Sequence, residues 1–198
     1  ALGSDHTLDV VADVVRDGTG APSSVFSFPD DALRRAEEEE EIAARAHIKQ
    51  LIDDVISGTN DAKEEAAEEL KDLAGVDTAN RMRIADLDGI PPLIGLLENS
   101  SEESKVLALD ALANLALDDS IKDRIGKEEG AINRVVSLLC NDECKVGAAN
   151  VLAELATYNA NNQELIANAG GIEQLISLLR DPAAQRVVKA EASGALLA

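Results

Sequence analysis

The chain has 198 residues, with 18 Lys+Arg against 38 Asp+Glu and a formal charge of −20. That length suits one compact domain or one short repeat array, and the acid excess repels phosphate backbones and anionic lipid surfaces, which argues against nucleic acid as a partner. There is no Trp, one Tyr and two Phe against a 45% apolar fraction, so no stacking platform for single strands exists and the core must be built from Leu, Ile, Val and Ala, a composition suited to closely packed helices.

The first 30 residues stand apart. Leu8, Val11, Ala12 and Val15 have the spacing of about two turns of amphipathic helix, and Asp17 to Ser24 read as linker. Residues 25–29 hold both phenylalanines and end in Pro29; the run reads as extended, with Phe26 and Phe28 as a docking segment for an apolar surface. Residues 31–50 then read as a long acidic helix. Its five successive carboxylates, Glu37 to Glu41, point around most of the circumference and make a solvated charge run rather than a cation site.

Beyond residue 42 the sequence repeats. Gly89-Ile90-Pro91-Pro92-Leu93-Ile94-Gly95-Leu96-Leu97 aligns with Gly171-Ile172-Glu173-Gln174-Leu175-Ile176-Ser177-Leu178-Leu179, and Gly130-Ala131-Ile132 opens a third copy between them. Ile90, Ile132 and Ile172 are spaced by 42 and 40 residues, and Ile48 lies 42 before Ile90. A second segment keeps phase: Lys105 to Ala116 matches Lys145 to Ala156, Leu70 and Leu73 stand where Leu112 and Leu115 do, and Val188 begins the segment again. Both segments carry the i, i+3, i+4, i+7 spacing of α-helices. Pro91 and Pro92 fit a first turn, Gly89, Gly130 and Gly170-Gly171 permit the sharp turns before these helices, and Ser100 to Glu103 supply capping and dipole-compensating residues.

The period, the Gly-Ile break, the Leu-Leu ending and the Ala-Leu-Ala-Asn-Leu-Ala segment at 111–116 and its neighbours resemble the armadillo repeat family over residues 42–198. The resemblance implies an all-α, right-handed solenoid of three to four helix triplets, with short first helices near 80–87, 121–127 and 162–169. The expected organisation is an N-terminal segment over 1–30 and an array over 31–198, divided at 31–75, 76–117, 118–158 and 159–198, the last repeat incomplete. The acidic helix stands in for the first repeat's short helix as an N-terminal cap.

The resemblance also implies that third helices line a concave surface that meets an extended peptide, and that Asn114 holds a peptide backbone, for which a carboxamide both donates and accepts. The repeat places Asp72 and Glu154 in register with Asn114, and Glu68, Asp110 and Asn150 one turn earlier. Four carboxylates among six residues favour a basic segment. Importin-alpha, a nuclear-import receptor of this family, carries Trp one turn before such asparagines; Glu68, Asp110, Asn150 and Gly194 stand in those places here, which argues against nuclear-signal recognition.

Catalysis finds no footing. His6 and His47 have no Cys or His at ligand spacing, no nucleophile motif accompanies them, and no phosphate-binding glycine motif is present, so no catalytic residue, metal or cofactor is expected. Cys140 and Cys144 read as buried packing residues separated by a break at Asn141-Asp142. No run reaches the ~20 apolar residues that span a bilayer, so no direct membrane insertion is expected. The cysteine usage and the lack of a basic-then-apolar opening point to a reducing, cytoplasmic setting, although Ala1 in place of Met leaves room for a removed leader and hence for the nucleus or an organelle interior. The expected function is a non-enzymatic adaptor for an extended basic protein segment, and the alternative is a structural subunit of a larger assembly tethered by its N-terminal segment.

Overall fold

The computed structural model describes residues 29–182 and 184–198. Contacts divide the chain into two compact units, Ala1–Ile42 and Ala43–Ala198. The expected amphipathic turns at Leu8 to Val15 and the Phe26/Phe28 segment lie outside the described residues.

Eleven helices and no strand occur among the described residues: α1 (Pro29–Ser57), α2 (Asn60–Val76), α3 (Thr78–Asp86), α4 (Ile90–Asn99), α5 (Glu102–Leu115), α6 (Asp119–Lys127), α7 (Ala131–Leu138), α8 (Lys145–Ala156), α9 (Ala160–Asn168), α10 (Gly171–Arg180) and α11 (Arg186–Leu197). The described part of the first unit is the start of α1, where residues 32–40 are all exposed and Arg34 donates to Glu38 at 2.8 Å, one turn on. The acidic helix runs past its expected end at residue 50, because Ile48, Leu51, Ile52 and Val55 bury a face and carry it on to Ser57.

In the second unit each repeat is a helix triplet: α3–α4–α5, α6–α7–α8 and α9–α10–α11, preceded by the end of α1 and α2. The third helices α2, α5, α8 and α11 pack one on the next. Their facing sides are small: Ala66, Ala67 and Ala74 on α2, Ala108, Ala111 and Ala113 on α5, and Ala148 and Ala149 on α8 are all buried. Alanine lets helix axes approach closely, and Leu70, Leu109, Leu112, Leu115, Leu152 and Leu155, also fully buried, fill the layers between them.

Each triplet begins with the same cap. Asp77, Asp118 and Asn159, at a uniform step of 41, precede the first helices and accept from the backbone N–H of Asn80 (2.7 Å), Ser120 (3.0 Å) and Asn162 (3.1 Å). Ser101 caps α5 by accepting from Ser104 N–H, and Pro91 and Pro92 fall in the first turn of α4.

The uneven 42- and 40-residue steps have one cause. Six residues separate Ile84 from Ile90 and Ile166 from Ile172, but seven separate Ile125 from Ile132. In the two shorter turns a glycine must follow the left-handed residue: a Cβ on Gly89 would lie 2.7 Å from Ile84 Cγ2, and one on Gly171 2.7 Å from Ile166 Cγ2. The longer turn moves the helix start away, and Ala131 stands there instead. In these turns before the second helices the left-handed residues are Gly130 (φ 74°), Gly170 (φ 77°) and, in place of the expected Gly89, Asp88 (φ 57°), while Gly89 itself is right-handed. The cysteines also divide. Cys144 is buried, but Cys140 falls in the turn after α7 and is exposed, contrary to the expectation for it.

Two measurements check this packing. Leu112→Ala and Leu152→Ala, both wholly buried, are expected to lower unfolding free energy by about 2–5 kcal/mol in denaturant titrations. Gly126→Ala is expected to destabilise by about 1–3 kcal/mol, against a helix-propensity gain of about 1 kcal/mol, because its Cβ would stand 1.9 Å from Oδ1 of the buried Asn162. A stabilised Gly126→Ala variant would show that Asn162 is not wedged there.

Candidate functional site

On α2, α5 and α8 the buried faces leave a polar stripe in register from repeat to repeat. On α2 it holds Glu68 and Asp72, on α5 Asp110 and Asn114, and on α8 Asn150 and Glu154. Glu68 and Asp72 are exposed, while the other four are half-buried.

The six side chains differ in what already holds them. Lys71 shares the α2 stripe: its Nζ lies 3.2 Å from Asp72 Oδ1 and 3.8 Å from Glu68 Oε1. Asn114 spends its amide inside the protein, with Nδ2 donating to the Lys71 carbonyl at 3.0 Å. It therefore ties α5 to α2 and keeps only its Oδ1 for a partner. Asp110 is desolvated, and burial pushes its carboxyl above the ordinary 3.8 even though Lys71 pulls it the other way. Part of that burial comes from Gly147 of α8, whose bare Cα brings the helix so close that a Cβ there would lie 3.2 Å from Leu109 Cβ. Asn150 and Glu154 make no hydrogen bond or ion pair among the described residues.

The ends of the third helices are stitched elsewhere. At the N-terminal end, Ser104 donates to Glu64 of α2 at 3.3 Å and Ser101 also donates to that carboxylate, while Asn141 donates to Glu102 of α5 at 2.8 Å. Lys105 and Asn141 hold the Glu102 carboxyl below its usual range. Against the same carboxylate, burial pushes the Cys144 thiol up to about 11, which leaves it protonated and unreactive at neutral pH. At the C-terminal end, Arg81, Asn162 and Gln163 donate to the carbonyls of Ala74, Leu155 and Ala156 at 3.0 Å each.

His47 Nε2 lies 2.7 Å from Glu69 Oε1 on the surface, the carboxylate accepting. Among the described residues no group of three His, Cys, Asp or Glu side chains is placed to hold a metal ion, and no helix is long and apolar enough to cross a membrane. Lys71, Asp77, Asp118, Asn159 and Asn162 were missed by sequence reasoning. The 41-residue step of the Asx caps was a readable signal for three of them, and Lys71 was readable at i+3 from Glu68.

The Armadillo/beta-catenin-like repeat matches residues 77–117. U-box domain-containing protein 4 of Oryza sativa subsp. japonica is 35% identical over 108 residues, 54% of this chain and 14% of the relative. Plakophilin-4 of Homo sapiens is 31% identical over 113 residues, 52% of this chain and 10% of the relative. The chain thus spans a small part of the length of the relatives it matches. Among solved structures, an engineered protein superposes with TM-score 0.71 at 29% identity, covering 76% of this chain and 61% of its own. A designed armadillo repeat protein in complex with the peptide (KR)4 superposes with TM-score 0.73 at 23% identity, covering 81% of this chain and 67% of its own. With the triplets and the stacked third helices, these matches make residues 77–117 an armadillo repeat and give the second unit the armadillo repeat fold.

Proposed function

We propose that the chain is a non-enzymatic adaptor that holds an extended, basic protein segment along the polar stripe of its third helices. The observation that carries the reading is the pair Asn150 and Glu154, one turn apart on α8, half-buried and without an internal partner. A carboxamide beside a carboxylate suits a peptide unit followed by a cationic side chain. Asp110 extends the stripe, and its desolvated charge interacts more strongly with a cation than a fully hydrated one would. The α2 end is weaker, because Lys71 already neutralises part of it. The fold accommodates such ligands, as the designed (KR)4 complex illustrates.

A fluorescent peptide of repeating Ser-Lys-Lys, about a dozen residues long, spans roughly four helices at 8–10 Å each. Its affinity is expected to fall as salt rises past about 0.1 M, where the screening length is ~10 Å. Asn150→Ala with Glu154→Gln should weaken it by about 1–3 kcal/mol with helicity unchanged. Unaltered binding by that variant would remove the stripe as the interface.

Asp110→Asn separates binding from stability. Because the folded carboxyl titrates above the unfolded value of 3.8, the folded state holds its proton more tightly and loses stability as pH rises through that window. The variant is therefore expected to be more stable than the parent at pH 7 in urea, with the gap closing as pH falls towards 3.8, while binding the peptide more weakly. A less stable Asp110→Asn at pH 7 would mean that the charge is held by a partner within the fold.

A further inference from the structure

The junctions between third and first helices carry a second repeating feature. Val76, Leu117 and Tyr158 follow one another at a step of 41, each just before an Asx cap, and they are 72%, 53% and 97% exposed. An apolar residue in that place ordinarily packs on the fourth residue of the helix it precedes. Here the fourth residues are Arg81, Lys122 and Gln163, whose polar ends donate to carbonyls at or just past third-helix ends: Arg81 to Ala74 and Gln163 to Ala156 at 3.0 Å, and Lys122 to Thr157, just after α8, at 3.3 Å. The local partner is thus spent three times over, and three apolar side chains are left uncovered in equivalent positions. Tyr158 keeps a large side chain at φ 56°, where Asn or Gly would sit with less strain.

We propose that Val76, Leu117 and Tyr158 form an apolar ladder that docks a basic protein segment bearing apolar side chains at about every third position. Neighbouring third helices lie about 8–10 Å apart, and three extended residues cover about 10 Å, so one apolar side chain per triplet of ligand residues meets each rung. Charge selects the rest of the ligand. Asp77 and Asp119 are exposed beside the ladder, and a cleft of about 330 Å³ at Tyr158 is lined by Asp119 and Asp123. The net charge of −20 opposes a second copy of the chain as occupant. The ladder stands independently of the polar stripe, and the two surfaces answer to different variants.

The test compares two fluorescent peptides of equal length, repeating Leu-Lys-Lys and repeating Ser-Lys-Lys, on the full 198-residue chain. The parent is expected to bind the leucine peptide at least about tenfold more tightly. The triple variant Val76→Ser, Leu117→Ser, Tyr158→Asn should lose that preference with unchanged circular dichroism, and Tyr158→Asn alone should lose part of it. Asn150→Ala with Glu154→Gln should weaken the serine peptide and leave the leucine peptide bound to the ladder, so failure of the stripe and failure of the ladder are told apart. Equal binding of the two peptides by the parent, or a preference that survives in the triple variant, overturns the proposal. So does self-association of the parent that the triple variant abolishes, which would assign the ladder to a second copy.

Discussion

The sharing of each third helix between two neighbours governs the second unit. α5 buries Ala108, Leu109, Ala111, Leu112, Ala113 and Leu115, an apolar surface too wide for one partner to cover. Such a helix is soluble only between α2 and α8, so stability resides in the repeat-to-repeat contact rather than in any single triplet. The polar stripe is a consequence of this arrangement. Once both flanks are committed to neighbours, Asp110 and Asn114 on α5, and their counterparts on α2 and α8, are left outside the buried faces.

The ends of those helices show the same economy of partners. Carboxylates Glu64 and Glu102 accept from Ser101 and Ser104 at the start of α5 and from Asn141 just before α8, which fixes the N-terminal ends. Arg81, Asn162 and Gln163 satisfy carbonyls at the C-terminal ends, where backbone acceptors would otherwise lack partners. Using the fourth residue of a first helix for this purpose removes the packing partner of the apolar residue before its cap. Polar satisfaction inside the array and apolar exposure at its edge are thus two results of one choice of residues.

The repeat and the helices were legible because each apolar face keeps its period through Ile90, Ile132, Ile172 and Leu70, Leu112, Leu152. The six stripe positions were legible by the same register. What they do was less so, since a register assigns a position and not a partner. Asn114 ties down Lys71's carbonyl, and Lys71 shields Glu68 and Asp72, which a tally of carboxylates overlooks. The exchange of Asp88 for glycine at the left-handed position, and the extra residue before Ile132, are turn details that a 42- and 40-residue spacing records without explaining. The exposure of Cys140 depended on where α7 stops, a boundary that two consecutive leucines leave open.

Native-state hydrogen exchange on the 198-residue chain tests the central claim most directly. If stability comes from third helices sandwiched between neighbours, amides of α5 and α8 exchange slowest and through a common opening, those of α11 exchange faster, and those of residues 31–42 exchange fastest among the helical segments. Equal protection of α11 and α5, or slowest exchange in the first helices α3, α6 and α9, would contradict the account.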